Sequence, residues 1–291
     1  MPQAITIEDI LQRTTDLPSM PAAATAVMRE AESSTSSSTS ISRHLRQDQA
    51  LSARVLRLAN SSYYGLSRQV SEVGEAVVIL GTRTVRHLCL VAASYPWLVR
   101  DLKGYELGPD QLWRHSFATA VSAGVIANHS GSADRDVCFT AGLLHNIGKV
   151  ALSVWLEGKT SMLQVLAERA GMSFDEVERK ALGFDHAQIG EALAEQWNLP
   201  SALVQAIRYH HEPNACPIPN SVVDVVHLGD YLATTMGYGL GADGLRYRVY
   251  DESFERLGVP PERLEQIMLE FMEIYEREEK VFEPDAVDKA A

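Results

Sequence analysis

The amino-acid sequence predicts an all-α protein built from many helices. No long stretch alternates apolar and polar residues with the period of two that half-buried strands need. Helix-starting and helix-ending signals instead recur along the chain, and the apolar residues between them follow helical spacing. With 291 residues, of which 46% are hydrophobic and 22% charged, the chain can fill the core of one large domain or two modest ones.

Five helices are predicted in the first hundred residues. Pro21 opens one of them, and the serine run SSTSSSTS at 33–40 ends it and supplies a cap, Ser40, for the next. Asp48 caps a third helix, whose apolar stripe predicts an inward face. Gly81 ends a fourth helix, and the threonine after it caps a fifth.

The rest of the chain is predicted to form longer helices. The segment 104–109, with two glycines and a proline, indicates a boundary. Ser173 begins a capping box and Asp185 caps the helix that follows it. Residues 237–244 form a glycine-rich loop without the spacing of a phosphate-binding motif. We therefore expect an N-terminal helical subdomain, a second helical subdomain, and a loop with a C-terminal helix packed on the core: 1–105, 106–236 and 237–291.

Charge and composition argue against several classes of function. Acidic residues outnumber basic ones by 38 to 26, a net charge of -12, and so acidic a surface repels phosphate backbones and anionic lipids. We expect no binding of nucleic acid or membranes. The three cysteines are far apart and form no CxxC pair, which argues against a zinc ribbon or a disulfide framework. The first residues include early acids and no apolar core, unlike a signal peptide, so we expect a cytoplasmic protein.

Five histidines and one aspartate form a candidate metal-binding set. Each lies on or at the end of a predicted helix with apolar neighbours, and imidazole and carboxylate are the usual ligands of zinc, iron, nickel and manganese. Any one histidine could be a core residue bonded to a carbonyl, but buried polar groups need partners, and a shared centre explains six together better. The set is His115, His145, His186, His210, His211 and Asp230. The other histidines are expected to be structural or surface residues: His44, His87, His129 and His227.

Two groups of motifs resemble known families. LPSMP at 17–21, RQDQALSARVLRLANSSYYG at 46–65 and AVVILGTRTVRHL at 76–88 are similar to HDOD domains, which are helical signalling modules. The order of the candidate set resembles the related HD superfamily. HNIGK at 145–149 differs by one letter from the HDIGK of HD-GYP cyclic-dinucleotide phosphodiesterases, and HHE at 210–212 also matches, but the DGxGYP that should follow is absent. The resemblance to HDOD domains covers most of the chain, from about residue 8 to about residue 236.

The resemblance implies ligands for two metal ions. In HD hydrolases the first histidine, the His-Asp pair and the last aspartate hold one metal, and the matching residues here are His115, His145, Asn146 and Asp230. In HD-GYP enzymes the later histidines hold a second metal, and these match His186, His210 and His211. Asn146 replaces the aspartate that can bridge the two ions. An amide is nearly isosteric but neutral, so two dications would be less well screened, and we expect catalysis to suffer more than shape.

Three states of this centre remain open from the sequence. The first group could hold one cation as a two-histidine, one-carboxylate set. The three later histidines could form a second site only if a helix ends between His210 and His211, because adjacent helix positions diverge by about 100°; Pro213 permits that ending. A site without metal, in which Asn146 hydrogen-bonds the histidines, is the third alternative.

The expected function is that of a non-catalytic HDOD signalling module that acts through contacts with unidentified signalling proteins. The HD-like pocket is expected to retain a divalent transition metal (iron, manganese, zinc or nickel) or a small phosphorylated ligand. The alternative is a metal-dependent HD-type phosphohydrolase acting on a cyclic dinucleotide or another nucleotide. Lys149 is a candidate ligand-binding residue, since the matching lysine of HDIGK enzymes contacts a substrate phosphate, although an exposed helix lysine fits the sequence slightly better. No residue is assigned a catalytic role.

Overall fold

The all-α prediction is confirmed by the computed structural model. The residues that it describes are 5–13, 20–31, 37–61, 63–244 and 246–282. They form helices and connecting turns, with no strand among them. One isolated antiparallel bridge joins Leu102 to Leu107.

The described residues contain a succession of α-helices joined by short connections. They are α1 (Ile7–Arg13), α2 (Ala22–Ala31), α3 (Ser38–Leu45), α4 (Gln49–Ala59), α5 (Val73–Leu98), α6 (Gln111–Ser130), α7 (Arg135–Leu144), α8 (Gly148–Leu156), α9 (Thr160–Ala170), α10 (Phe174–Leu182), α11 (His186–Gln196), α12 (Ser201–Tyr209), α13 (Ser221–Thr235), α14 (Asp251–Leu257) and α15 (Leu264–Phe282). Short 3-10 turns cover Lys103–Tyr105, Pro213–Ala215 and Pro261–Arg263.

The chain divides into two compact units at positions that differ from the expected boundaries. The larger unit comprises residues 1–19 and 94–268, and the smaller one comprises 20–93 and 269–291. The segment around Gly104 lies within the larger unit. Gly104 is buried, its N–H donates to Ser153 Oγ at 3.0 Å, and its carbonyl accepts from Thr160 Oγ1 at 2.9 Å. These bonds tie the glycine-containing segment to α8 and α9, so it belongs to the larger unit.

The helix caps of the smaller unit follow the sequence with one correction. Asp48 caps α4 as predicted, since its side chain accepts from the N–H of Leu51 at 2.9 Å. Ser40, however, is not the cap of α3. The cap is Ser37, and Ser40 is the third helical residue of a capping box in which the two serines bond each other's backbone N–H at 3.1 Å. Residues 33–36 of the predicted serine loop and 17–19 of the LPSMP motif lie outside the described residues.

The long helix α5 is interrupted where the sequence places a helix end. Gly81 has a φ of 84° and a ψ of 159°, outside helical geometry and in a region that favours glycine. The sequence-predicted helix break at Gly81 is confirmed.

The turn between α4 and α5 is held by Asn60, whose side chain both donates to the carbonyl of Val70 at 2.8 Å and accepts from its N–H at 2.7 Å.

The larger unit is arranged around α6, which is buried along most of its length. Helices α7 and α13 pack on α6, and α11 packs on both α8 and α12. A hydrogen bond of 2.9 Å from Ser122 Oγ to the Gly229 carbonyl joins α6 to α13. The predicted capping box at Ser173 and the predicted cap at Asp185 are both present. Helices from distant parts of the sequence are thereby brought together around one core.

Two described helical stretches are long and apolar enough to span a bilayer by length and composition. They are Val73–Leu98 and Arg135–Leu156, and 56% and 89% of their most apolar windows are buried. Such burial is usual in the core helices of soluble proteins, so this observation is weak evidence for a membrane span.

Gly148, at the start of α8, is expected to tolerate no side chain. A Cβ atom there would lie 1.9 Å from the His186 carbonyl oxygen and 2.6 Å from the Gly190 nitrogen. Because both obstacles are backbone atoms, we predict that Gly148→Ala lowers the free energy of unfolding by about 3 kcal/mol or more. Chemical denaturation measures the change. Gly108→Ala is the matched control, since a Cβ there meets only the Gln111 side chain at 3.7 Å; equal stability of the two variants would contradict the prediction.

Candidate metal centre

The first candidate ligand group brings together His115, His145 and Asp230. His115 lies in α6, His145 follows the last residue of α7, and Asp230 lies in α13; all three are buried. Asp230 Oδ1 is 2.9 Å from His115 Nε2 and 3.5 Å from His145 Nε2. One potential ligand atom from each residue lies within 4.8 Å of the others. The three helices thus place a two-histidine, one-carboxylate set around one point.

The second candidate group consists of His186, His210 and His211. His186 is the first residue of α11, and its Nε2 lies 3.0 Å from His211 Nε2. Helix α12 ends at Tyr209, and its C-cap, His210, keeps helical dihedral angles (φ −60°, ψ −27°); the ring centroids of His210 and His211 are 4.0 Å apart. The α-helix therefore ends at this pair of histidines, where the sequence requires an end if the three later histidines are to form a site. One ligand atom from each histidine lies within 4.8 Å of the others.

The two groups are neighbours in the larger unit. The ring of His145 from the first group lies 4.9 Å, centroid to centroid, from the ring of His210 in the second. All six residues that the sequence singled out are thereby collected in one place. The remaining histidine of the region, His227, has a structural role: its Nδ1 bonds the His210 carbonyl at 2.7 Å, and its Nε2 accepts from the Tyr250 N–H at 3.1 Å.

Four of the histidines are anchored through Nδ1 to an oxygen outside the ligand set. His115 bonds the Tyr238 carbonyl at 3.0 Å, and His145 bonds the Gly142 carbonyl at 2.6 Å. The other two bonds join His210 to the Ile207 carbonyl at 2.8 Å and His186 to Glu178 Oε2 at 2.7 Å. Because each of these oxygens accepts a hydrogen bond, the imidazole proton must be on Nδ1. The lone pair on Nε2 is then free to bind a cation at the centre. Metal-binding histidines are usually oriented by bonds of this kind.

The charge states of the buried groups make the centre rich in electron pairs. Burial, with repulsion from neighbouring histidines, holds the pKa of His210 and His211 well below the usual value, and burial also lowers the pKa of His145. Burial alone would raise the pKa of Asp230, but the imidazoles of His145 and His115 hold it well below its ordinary range. Burial alone would lower the pKa of His186, but the Glu178 carboxylate raises it above its usual value. At neutral pH the centre therefore presents neutral imidazoles at His145, His210 and His211 and an ionised carboxylate at Asp230.

The residues of the centre fit a divalent cation. When the proton of His115 is on Nδ1, its Nε2 is an acceptor that lies 2.9 Å from another acceptor, Asp230 Oδ1. Two acceptors at this distance need a shared proton or a cation between them. Among the described residues, the buried atoms His210 Nε2 and Asn146 Oδ1 have no hydrogen-bond partner. Buried polar atoms normally find one. Imidazole with carboxylate suits zinc, iron, nickel or manganese.

Asn146 lies beside the first group, buried next to His145. Its Nδ2 is 2.7 Å from His145 Nε2, and its Oδ1 is the orphaned oxygen described above. The hydrogen bond belongs to the metal-free alternative that the sequence left open. If the Asn146 amide rotated by half a turn, Oδ1 would take the place of Nδ2 beside His145, where a cation could bind it.

Lys149 is buried, so the expectation of an exposed helix lysine is wrong. Its side chain is 4% exposed, its Nζ forms an ion pair with Asp243, and it lies 5.6 Å from the centroid of the Tyr105 ring. The first turn of α8 packs closely on α11 at Gly148, and Lys149 in that turn points into the buried cavity beside the centre, where Asp243 pairs with it. Arg179 also lines this cavity and is paired with Asp175 and Asp185.

Sequence reasoning missed two acidic residues of this region. Glu178, in α10, is fully buried behind His186, and Asp243 pairs with Lys149 from the glycine-rich loop. Glu178 lies in the charged string FDEVERK, which reads as an exposed helix face, and Asp243 lies in a loop with no recognisable motif. No local signal in the sequence distinguishes either from a solvated carboxylate.

Taken with the all-helical fold, this arrangement of five histidines and an aspartate defines the class: a helical protein with two neighbouring buried groups of residues that could hold divalent cations. The HDOD domain family matches residues 17–213. The chain belongs to that family.

Similar proteins include a curated relative and several solved structures. An uncharacterised protein of Treponema pallidum (strain Nichols) is 30% identical over 207 residues, which make up 69% of this chain and 39% of that protein. The chain therefore spans well under half the length of this relative. The crystal structure of an HDOD domain protein of unknown function from Geobacter sulfurreducens is 26% identical with a TM-score of 0.72, covering 96% of this chain and 97% of that one. A crystal structure from Shewanella amazonensis SB2B, provisionally named a phosphohydrolase, is 26% identical with a TM-score of 0.63, covering 91% and 97%.

The ion pair between Lys149 and Asp243 allows a test of how much the buried lysine depends on its partner. We predict that Asp243→Asn lowers the free energy of unfolding by about 3 kcal/mol, because it leaves an uncompensated buried charge. Lys149→Met should cost less, since the Asp243 side chain is 17% exposed and can be hydrated. The double variant should recover most of the loss. Denaturant titration of the four proteins measures the coupling, and strictly additive losses would contradict it.

Proposed function

We propose that the chain is a regulatory HDOD module that signals in the cytoplasm through contacts with partner proteins. Its HD-like centre retains a divalent transition-metal ion (iron, manganese, zinc or nickel) or a small phosphorylated ligand but has lost hydrolytic power. The observation that carries the proposal is Asn146, which occupies the position of the bridging aspartate. Family membership supports the regulatory part of the proposal.

The charge of the centre favours one cation over two. Within the six-residue set and Asn146, Asp230 is the sole carboxylate. Two dications held close together would carry four positive charges against this single negative one. Two-metal hydrolysis needs both ions, since they clamp the attacking and leaving oxygens. A neutral amide at 146 therefore favours one cation over a catalytic pair.

The hydrogen bond between Asn146 and His145 also weakens the first group as a metal site. The Asn146 amide donates from Nδ2 to His145 Nε2 at 2.7 Å, and this bond engages the lone pair that His145 would offer to a metal. A carboxylate cannot donate and would leave that lone pair free. A cation must therefore compete with Asn146 for His145, which weakens the first group beyond the loss of charge.

A single ion would be held by the residues of the first group, or by the three histidines of the second. Bound there, a divalent ion supplies Lewis acidity. The residues of the chain itself orient the site: the carbonyls of Gly142 and Tyr238 fix the imidazoles of His145 and His115, and Lys149 and Arg179, each ion-paired to carboxylates, line the adjoining cavity.

A metal-dependent phosphohydrolase acting on a cyclic dinucleotide or another nucleotide is the second candidate function. The completeness of the three-histidine group and the burial of Lys149 beside it favour this candidate. The provisional name of the Shewanella amazonensis relative points in the same direction. Two features weigh against it: the DGxGYP sequence is missing, and an asparagine stands at the position of the bridging aspartate.

Restoring the bridging carboxylate separates the two candidates. We predict that the purified wild-type protein carries about one divalent ion per chain and that Asn146→Asp raises this to about two. Metal analysis by mass spectrometry measures both. With manganese or iron added, hydrolysis of a cyclic dinucleotide by Asn146→Asp should exceed the wild-type rate roughly a hundredfold, because one electrostatic group is regained.

The control is the double variant Asn146→Asp with Asp230→Ala, which should lose the gained activity because the first group then lacks its direct carboxylate ligand Asp230. Wild-type turnover that disappears in Asp230→Ala would overturn the regulatory proposal and favour the hydrolase. A wild-type protein free of metal, with unchanged metal content in Asn146→Asp, would overturn the metal-binding part.

A further inference from the structure

Resting on the proposed retention of a metal, we propose that Glu178 is a positioning residue for the three-histidine group. From behind His186, its carboxylate supplies the negative charge that no direct ligand of this group carries. Each candidate group would then have one carboxylate: Asp230 as a direct member of the first, and Glu178 one bond removed from the second.

Three hydrogen bonds hold the Glu178 carboxylate, and two of them come from His186. Its side chain is fully buried, and Oε2 accepts from both the backbone N–H and the Nδ1–H of His186, at 2.8 and 2.7 Å. Oε1 accepts from the Tyr105 hydroxyl at 2.5 Å. A buried carboxylate is costly unless it is well satisfied, and three hydrogen bonds satisfy this one.

His186 differs in this respect from the other anchored histidines. His115, His145 and His210 donate Nδ1–H to neutral backbone carbonyls, whereas His186 donates to a carboxylate. A carboxylate partner fixes the tautomer and makes the opposite ring nitrogen a stronger donor to a metal. That opposite nitrogen, Nε2, lies 3.0 Å from His211 Nε2 and so faces the centre of the group.

Tyr105 holds the carboxylate in this orientation. Its hydroxyl fixes Oε1, and its backbone carbonyl accepts from the Ala242 N–H at 2.8 Å, so the tyrosine is itself held by the loop that carries Asp243. Without the hydroxyl, Glu178 keeps its charge but loses the bond that holds its outer oxygen. The effect of removing it should be smaller than that of removing the charge, and in the same direction.

A purely structural role for Glu178 makes a different prediction. Its bond to the His186 N–H also satisfies a donor at the first turn of α11, so its loss could lower stability alone. Stability by itself therefore does not test the proposal. The test needs a measurement of metal affinity at the second group, with the ring nitrogens of the individual histidines as reporters.

We expect Glu178→Gln to weaken zinc binding at the three-histidine group roughly 10- to 100-fold, because glutamine keeps an acceptor for Nδ1–H but not the charge. Zinc alone is titrated against a chromophoric chelator, and ring ¹⁵N spectra report which histidines respond. Tyr105→Phe should show a smaller loss. Glu176→Gln is the matched control: it removes one charge from the same helix, and glutamine preserves the capping box with Ser173.

Zinc affinity at His186 and His211 that is equal in Glu178→Gln and Glu176→Gln would overturn the inference. Wild-type zinc binding confined to His115 and His145 would also overturn it, while leaving the proposed function intact. A wild-type protein that binds no zinc at either group would overturn the inference, and one that also carries no other divalent ion would overturn the metal-binding part of the proposed function. Should Glu178→Gln fail to fold, Tyr105→Phe decides, and wild-type affinity in that folded variant overturns the inference.

Discussion

The candidate centre depends on two helices that each end at a histidine. At the ends of α7 and α12, the imidazole Nδ1 bonds the carbonyl three residues back, Gly142 for His145 and Ile207 for His210. Carbonyls of a last helical turn lack partners within the helix. One bond therefore satisfies the helix end and turns Nε2 away from it, toward the centre. The direction of these two ligands is fixed by the local backbone before any metal is considered.

Helix ends also explain how so many polar groups can be buried together. After His145 the chain turns at once into α8, whose first residue, Gly148, packs against the His186 carbonyl at the start of α11. The starts of two helices thus meet without an intervening side chain. His145, just before α8, belongs to the first candidate group, and His186 belongs to the second, so this contact lies between residues of the two groups.

The sequence predicted those features that depend on local chemistry. Capping at Asp48, the break at Gly81 and the set of five histidines with Asp230 all follow from residue type and spacing, and the structure places each as described above. Burial of charge did not follow. Glu178 is buried because Tyr105, 73 residues earlier in the chain, reaches it, and a pairing that distant leaves no trace in local spacing. A charged residue on a helix is most often solvated, so the pattern around it predicts exposure.

The asparagine at 146 also changes what the centre needs in the absence of metal. An aspartate there would place a second buried carboxylate near Asp230, and like charges in a buried site raise each other's pKa and destabilise the folded state until a cation or a proton arrives. The amide instead donates to His145 at 2.7 Å and adds no charge. The pocket can then keep its shape with or without an ion. A hydrolase gains nothing from such tolerance, because it works only when loaded. A protein that signals by a difference between bound and free states requires both to be folded.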